Sequence, residues 1–376
     1  MIADVEVGAF LSGGVDSSGV VATMKRLHPN ANLNTYTIGF KEDKFNEFSY
    51  ANQVAKQYDV NHTSLLYSME EYWGDMEQLI DYKDGPLGVP NEPALYKMSK
   101  TLRKDFTVVL SGEGADEIFG GYGRIFRGAE DFNKLENFEE EYRKQRYPQV
   151  STSPFHHFIQ QYKYVKQEDA ERFFSPHFLS QYYSKNKGDQ LIKEFFDQNT
   201  EMEVKTKYMY IFEKLHLPGL LQRVDCTSMA ASIEARVPFV DHELVNFAFE
   251  INPELKLKWN SEEDKEKGET LHASDISEIL DTPKYILKKA FEDRLNDSIL
   301  YRKKMGFPMP LHLLFTPESR ERNLGEIEKS ILAKEKLINL EEIINFHKEI
   351  ETSQNSADAQ KLWMILNLSI FLNKHF

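Results

Sequence analysis

The chain has 376 residues, enough for two to three units of typical domain size and for a large buried core. Acidic side chains outnumber basic ones 60 to 46, for a net charge of −14, which argues against a protein whose main task is gripping a nucleic-acid backbone but does not exclude one that holds a small anion in a local basic pocket. The single cysteine, Cys226, excludes an internal disulfide and any site built from two thiols.

Hydrophobic residues at 41% and charged residues at 28% describe a globular chain. Low cysteine use suits a reducing cytosol, so a cytoplasmic location is expected. No run of about 18 apolar residues occurs, so no membrane span is expected. The N-terminus lacks the basic-then-apolar layout of a signal peptide.

Strand-like and helix-like segments alternate over residues 1–125. Residues 5–11 form a short apolar run that ends in Ser-Gly-Gly, the pattern of a buried strand meeting a tight turn. Val20, Val21, Met24 and Leu27 recur at helical spacing. Residues 33–40 (LNTYTIGF) alternate as a strand, 48–58 read as a helix and 62–66 as another strand. A helix follows Pro93 through Lys104. Residues 106–110 (FTVVL) are a β-branched run that also ends in a glycine-rich turn. This order predicts an α/β fold, a Rossmann-like parallel sheet with helices on both faces, whose ligand sits beyond the carboxyl ends of the strands.

From about Asp131 the strand signals fade, and residues 126–376 are expected to be mainly helical. Residues 155–196 are aromatic and charged at helical spacing. Leu217-Pro218-Gly219 reads as a break. Helical patterns return around 224–233, 244–249 and 286–295. The charge run 261–270 (SEEDKEKGET) reads as a solvated loop, and 359–372 as an amphipathic, docked terminal helix.

Residues 12–18 read SGGVDSS between a strand and a helix. Glycines allow a sharp turn and close backbone approach, and the helix that follows offers free N–H groups to an anion. Ser12, Ser17 and Ser18 add hydroxyl donors. Asp16 beside a phosphate makes sense once a divalent cation is present. The plainer alternative is a helix start that its own Asp and Ser cap. Residues 111–122 read SGEGADEIFGGY, again after a strand, and bring Glu113, Asp116 and Glu117 together. Alone, these acids read equally well as a helix N-terminal cluster. With two such turns on neighbouring strand ends, Asp16 and Asp116 are placed to clamp one metal ion carrying pyrophosphate.

SGGVDSS followed by SGEGADEIFGGY resembles the synthetase domain of glutamine-dependent asparagine synthetases. The first turn is shared with other ATP pyrophosphatases, and the second is more specific. The similarity continues through residues 224–229 (VDCTSM), 233–241 (IEARVPFVD), 302–307 (RKKMGF) with Pro310, and the terminal helix with Trp363. It implies a sheet of the PP-loop adenine nucleotide α-hydrolase type and a reaction in which magnesium-ATP activates the side-chain carboxylate of aspartate. The implied products of that step are pyrophosphate and β-aspartyl-AMP, which ammonia then attacks.

By this resemblance Leu11 and Ile38 contact the nucleotide base region, and Ser111 and Gly112 contact adenosine. Ser12, Gly13, Gly14, Ser17 and Ser18 hold pyrophosphate, and Asp16 and Asp116 bind Mg2+. Lys304 faces the phosphates, the alternative being a surface lysine in the basic run 302–304. Glu113 occupies the position of a tyrosine in the related β-lactam synthetases, which favours ammonia as nucleophile and Glu113 as its proton acceptor. Asp225, Glu234 and Arg236 are candidates for the acceptor pocket, with a supporting ion pair as the equal alternative for the last two.

The chain departs from the family pattern at Cys226, where an arginine is common and Arg223 is a candidate substitute, and at Gly85, where the family often has glutamate. Family members begin with a glutaminase domain, and nothing resembling one precedes Val5. A separate glutaminase polypeptide, free ammonia and a truncated frame therefore all stay open, and no glutaminase activity is expected of this chain alone. A homodimer also stays open. The competing functions are an amidotransferase or cyclising ligase for another carboxylic acid, an inactive subunit serving a glutaminase, and a tRNA-modifying adenylating enzyme, against which the acidic balance weighs.

Overall fold

The computed structural model describes residues 3–42, 46–147, 151 and 153–376. Five parallel strands form one sheet in the order β3-β2-β1-β4-β5: β1 (Val7–Phe10), β2 (Asn34–Gly39), β3 (Asn61–Leu66), β4 (Val108–Leu110) and β5 (Glu234–Arg236). Parallel strands need crossover helices. Here α1 (Val15–Leu27) links β1 to β2, and α2 (Phe48–Gln57) links β2 to β3. Between β3 and β4 run α3 (Met69–Lys83) and α4 (Glu92–Leu102). Sequence reading found α4 and missed α3, whose start is a capping box between Ser68 and Glu71.

Alternation along the strands builds two cores. Phe10, Tyr36, Ile38 and Val109 face α3, α4 and the C-terminal helix, while Val7, Ala9, Leu11, Val108 and Leu110 face α1 and α2. Both central strands are buried on both sides, which explains their unbroken apolar runs.

After β4 come two short steps, α5 (Ala115–Phe119) and α6 (Gly123–Lys134), and then a mainly helical stretch that ends in α7 (Leu217–Met229). The sheet is nevertheless completed from this later region, because β5 pairs in parallel with β4. It was absent from the sequence reading, since three residues with two charges carry no strand pattern. The break expected at Leu217-Pro218-Gly219 is not there. A π-helical turn, Phe212–His216, runs straight into α7, and Pro218 lies in the first α-turn, where no N–H is needed.

The charge run is also not a loop. Ser261 caps a helix, Glu262–Gly268, that carries acids in its first turn and lysines in its last. Two further strands, β6 (Leu257–Trp259) and β7 (Asp281–Pro283), form an antiparallel pair that leads into α8 (Tyr285–Ala290). The terminal helix α9 (Ser356–His375) is buried over more of its circumference than one stripe, with Trp363, Ile365, Leu366 and Ser369 all inside. Among the described residues no helix is long and apolar enough to cross a membrane.

Candidate functional site

Strand order reverses direction between β1 and β4, and the two glycine-rich turns leave the carboxyl ends of those strands side by side. They touch. A Cβ added to Gly112 would stand 2.7 Å from the Ser17 nitrogen and 2.9 Å from the Asp16 carbonyl carbon, so only glycine lets the second turn lie on the first. Gly13 has φ +76° and lies against the backbone of Tyr50 and Ala51, which fixes the bend of the first turn.

The capped-helix alternative for the first turn does not hold. Gly14 is the N-cap of α1, and no side chain caps that end. The Ser12 and Ser17 hydroxyls instead bond each other at 3.1 Å, and Ser17 donates to the Gly14 carbonyl at 3.3 Å. The leading N–H groups of a 13-residue helix therefore face the site uncapped.

A cavity of about 2110 Å³ opens there. Leu11, Ser12, Gly14, Asp16, Ser17, Ile38, Ser111, Gly112, Glu113, Asp116 and Lys304 all line it. Gly13 and Ser18 lie behind this wall, the second with its side chain fully buried. Asp225, Glu234 and Arg236 are not part of the lining. Asp225 is exposed on α7, two residues from Arg223 and so on the opposite side of the helix. Glu234 and Arg236 pair with each other at 2.6 Å on the edge strand, at 57% and 37% side-chain exposure, which is an ion pair but not a buried one.

Asp16 and Asp116 converge, on a lysine. Lys284 Nζ lies 2.8 and 2.7 Å from the two Asp16 oxygens and 2.9 Å from Asp116 Oδ1, and Lys304 Nζ lies 2.9 Å from Asp116 Oδ2. Both carboxylates thus reach one cationic centre. Burial raises the Asp16 pKa, with the Asp116 charge adding to it and Lys284 opposing. Burial acts on Asp116 in the same way, but Lys284 and Lys304 overcome it and hold that carboxyl well below the usual range. Burial also works against the Lys284 ammonium, and Asp116 and Asp16 reverse the effect.

Asp116 Oδ1 is buried, and the group that faces it is the Lys284 ammonium at 2.9 Å. Two carboxylates converging on one cationic centre beside an uncapped helix end form a donor set that fits Mg2+, which takes one or two carboxylates together with substrate phosphates. Gly121 leaves room for Asp116 Oδ1, because a Cβ there would lie 1.8 Å from it.

Across the site Arg223 on α7 donates to Glu113 Oε1 at 2.7 Å and to Asn91 Oδ1 at 3.4 Å. Arg223, the candidate substitute for the guanidinium absent at Cys226, thus lies one helical turn before it and pairs with Glu113. Beside it Tyr122 donates to Glu117 at 2.5 Å; burial, with Asp116 nearby, raises the Glu117 carboxyl to about 7. Arg302 ties the first turn to its surroundings by donating to the Gly13 carbonyl at 3.0 Å and pairing with Glu47.

Sequence reading missed Lys284, the residue on which the acids meet. It has φ +54°, unusual for a lysine and in keeping with a strained position at a site. Its signal was present: Lys284 and Lys288 stand four apart at the head of an apolar helical pattern and so share one face.

A family model described as asparagine synthase matches residues 1–373. The chain belongs to the asparagine synthase family. The glutamine-hydrolyzing asparagine synthetase 1 of Bacillus subtilis (strain 168) is 28% identical over 383 residues, covering 99% of this chain and 56% of that protein. The human glutamine-hydrolyzing asparagine synthetase is 25% identical over 346 residues, 85% of this chain and 48% of that protein. A putative asparagine synthetase of Methanocaldococcus jannaschii is 43% identical over 126 residues, 32% of this chain. The chain spans about half the length of the Bacillus subtilis and human proteins. Family membership agrees with the parallel sheet and with the two turns at its centre.

Proposed function

We propose that the chain is an ATP-dependent, AMP-forming amide ligase that converts aspartate and ammonia to asparagine. The observation that carries this reading is the convergence of Asp16 and Asp116 on one cationic centre, at the contact between two glycine-rich turns.

The α1 amides with Ser12 and Ser17 hold the phosphates, and Leu11, Ile38, Ser111 and Gly112 form the nucleotide wall. Asp16 and Asp116 are the residues that would hold Mg2+, which when bound neutralises charge on the phosphates. An oxygen of the aspartate side chain attacks the α-phosphorus, and the electron pair of the broken bridge leaves with pyrophosphate. Lys304, which lines the same cavity beside Asp116, stabilises that growing charge. Ammonia then attacks the acyl carbon of the adenylate. Glu113, oriented by Arg223, takes a proton from the incoming nitrogen, and AMP departs. Ammonia enters freely or from a glutaminase.

The test is release of pyrophosphate and AMP from Mg-ATP, with ammonium present and carboxylic acids supplied one at a time. Stimulation by aspartate supports the proposal. Glu113→Gln should keep aspartate-dependent pyrophosphate release and lose about 10²- to 10⁴-fold in amide formation; equal loss of both steps counts against Glu113 as the proton acceptor. No ATP binding at all would select the inactive-subunit reading.

A second reading, the same chemistry on a larger acid, rests on the cavity. Its volume of about 2110 Å³ exceeds the roughly 300–1,000 Å³ usual for small-ligand pockets. Its far wall is aromatic, with Tyr162, Tyr164, Phe178 and Tyr182. Stimulation only by a bulkier acid selects that reading.

A further inference from the structure

Four basic residues from the later half of the chain, Lys284, Lys288, Arg302 and Lys304, line the phosphate end of the cavity. Three of them already have carboxylates. Lys284 is held by Asp16 and Asp116, Lys304 by Asp116, and Arg302 by Glu47. Across the cavity Arg223 is committed to Glu113.

Lys288 differs. It is only 7% exposed, lies one turn along α8 from Lys284 and faces the same cavity. Among the described residues no carboxylate or carbonyl hydrogen-bonds its ammonium, which lies over the ring of Tyr301, 5.7 Å away. The charges acting on it are Lys284 on one side and Glu278, Asp16 and Asp281 on the other. None of these touches it, and burial pushes its pKa down to about 8. A desolvated ammonium without a counter-ion is costly to the fold. Such a group makes sense where a ligand supplies the missing anion, and its neighbours place that anion beside Asp16, at the phosphate end.

Resting on the ATP reading, we propose that Lys288 binds the β- and γ-phosphates of ATP, the part that leaves as pyrophosphate. It is the buried cation of this wall whose charge no carboxylate has claimed. The electron pair released from the α-phosphorus bridge moves onto pyrophosphate, and Lys288 contacts that group in both the substrate and the product.

The experiment is equilibrium binding of inorganic pyrophosphate and, separately, of AMP, each with Mg2+, to the wild-type chain and to Lys288→Gln, Lys288→Met and Lys288→Arg. Loss of a charge-assisted contact to phosphate should weaken pyrophosphate binding about 10- to 100-fold in the first two variants, leave AMP binding unchanged, and be largely restored by arginine. The thermal midpoints of Lys288→Gln and Lys288→Met should equal or exceed that of the wild type, because each removes an uncompensated buried charge. Unchanged pyrophosphate binding in both neutral variants overturns the assignment, and so does an equal weakening of pyrophosphate and AMP together with a lowered midpoint. If the wild-type chain binds neither pyrophosphate nor ATP, the ATP reading itself fails and this inference falls with it.

Discussion

Substituting Gly112 by alanine tests the contact on which the site depends. The new carbon would lie 2.7 Å from the Ser17 nitrogen and 2.9 Å from the Asp16 carbonyl carbon, where ordinary contact begins near 3.4 Å. The deficit of up to 0.7 Å is against backbone, which no rotamer change relieves. The turns must therefore move apart, carrying Asp16 away from Asp116. Overpacking of this kind costs about 1–3 kcal/mol. With an unfolding entropy of about 2.1 cal/mol/K per residue over 376 residues, the melting temperature should fall by about 1–4 °C. A displacement approaching 1 Å among positioned groups should lower kcat/KM for ATP-dependent pyrophosphate release by about 10²-fold. Gly325→Ala is the control. It lies in the helix Arg320–Lys329 with nothing within 4 Å of the added carbon, and should gain about 0.5–1 kcal/mol. Scanning calorimetry and a pyrophosphate-release assay read both. A Gly112→Ala chain that melts and turns over like the wild type would refute the contact between the turns.

Two further outcomes follow from the charges. Lys284→Met leaves Asp16 without its cation and Asp116 with Lys304 alone, and should lose about 3 kcal/mol by denaturant unfolding without divalent ions. Mg2+ should then raise the stability of this variant more than that of the wild type; an equal or smaller rise would show that the two acids do not share a cation site. Glu117, raised to about 7 from an ordinary 4.5, binds more proton in the folded state than in the unfolded state between those values. Its contribution, about 3 kcal/mol, is therefore present in full below pH 4.5 and lost as pH rises through 7. Glu117→Gln should flatten the pH dependence of stability over that window, and an unaltered slope would remove Glu117 as its source.

The strands and turns were legible because their signals are local. An apolar run followed by glycine specifies both a buried strand and a tight bend, which gave β1 and β4, and β2 and β3 were read from strand-like patterning. The abutment of the turns follows from strand order, which right-handed crossovers restrict. What stayed hidden depends on distant pairing. β5 is three residues with two charges, and only its hydrogen bonds to β4 make it a strand. Lys284 is an ordinary lysine in sequence and becomes the partner of Asp16 only because α8 packs beside α5, 268 residues further along the chain from Asp16. Pro218 and the run 261–270 were misread because breaker and charge rules ignore the first helical turn, where proline is tolerated and acids are favoured. The candidates Glu234 and Arg236 were named from a motif; its backbone serves the site while their side chains face outward along the sheet edge.

The late arrival of β5 sets an order of events during synthesis. The Ser111 amide, at the root of the second turn, donates to the Arg236 carbonyl at 2.9 Å, and the Glu234 amide donates back to Thr107. A nascent chain that has emerged only as far as residue 125 holds both glycine turns but has an open flank on β4. That flank closes only after more than a hundred further residues have left the ribosome, and until then it is an unpaired edge available to wrong partners.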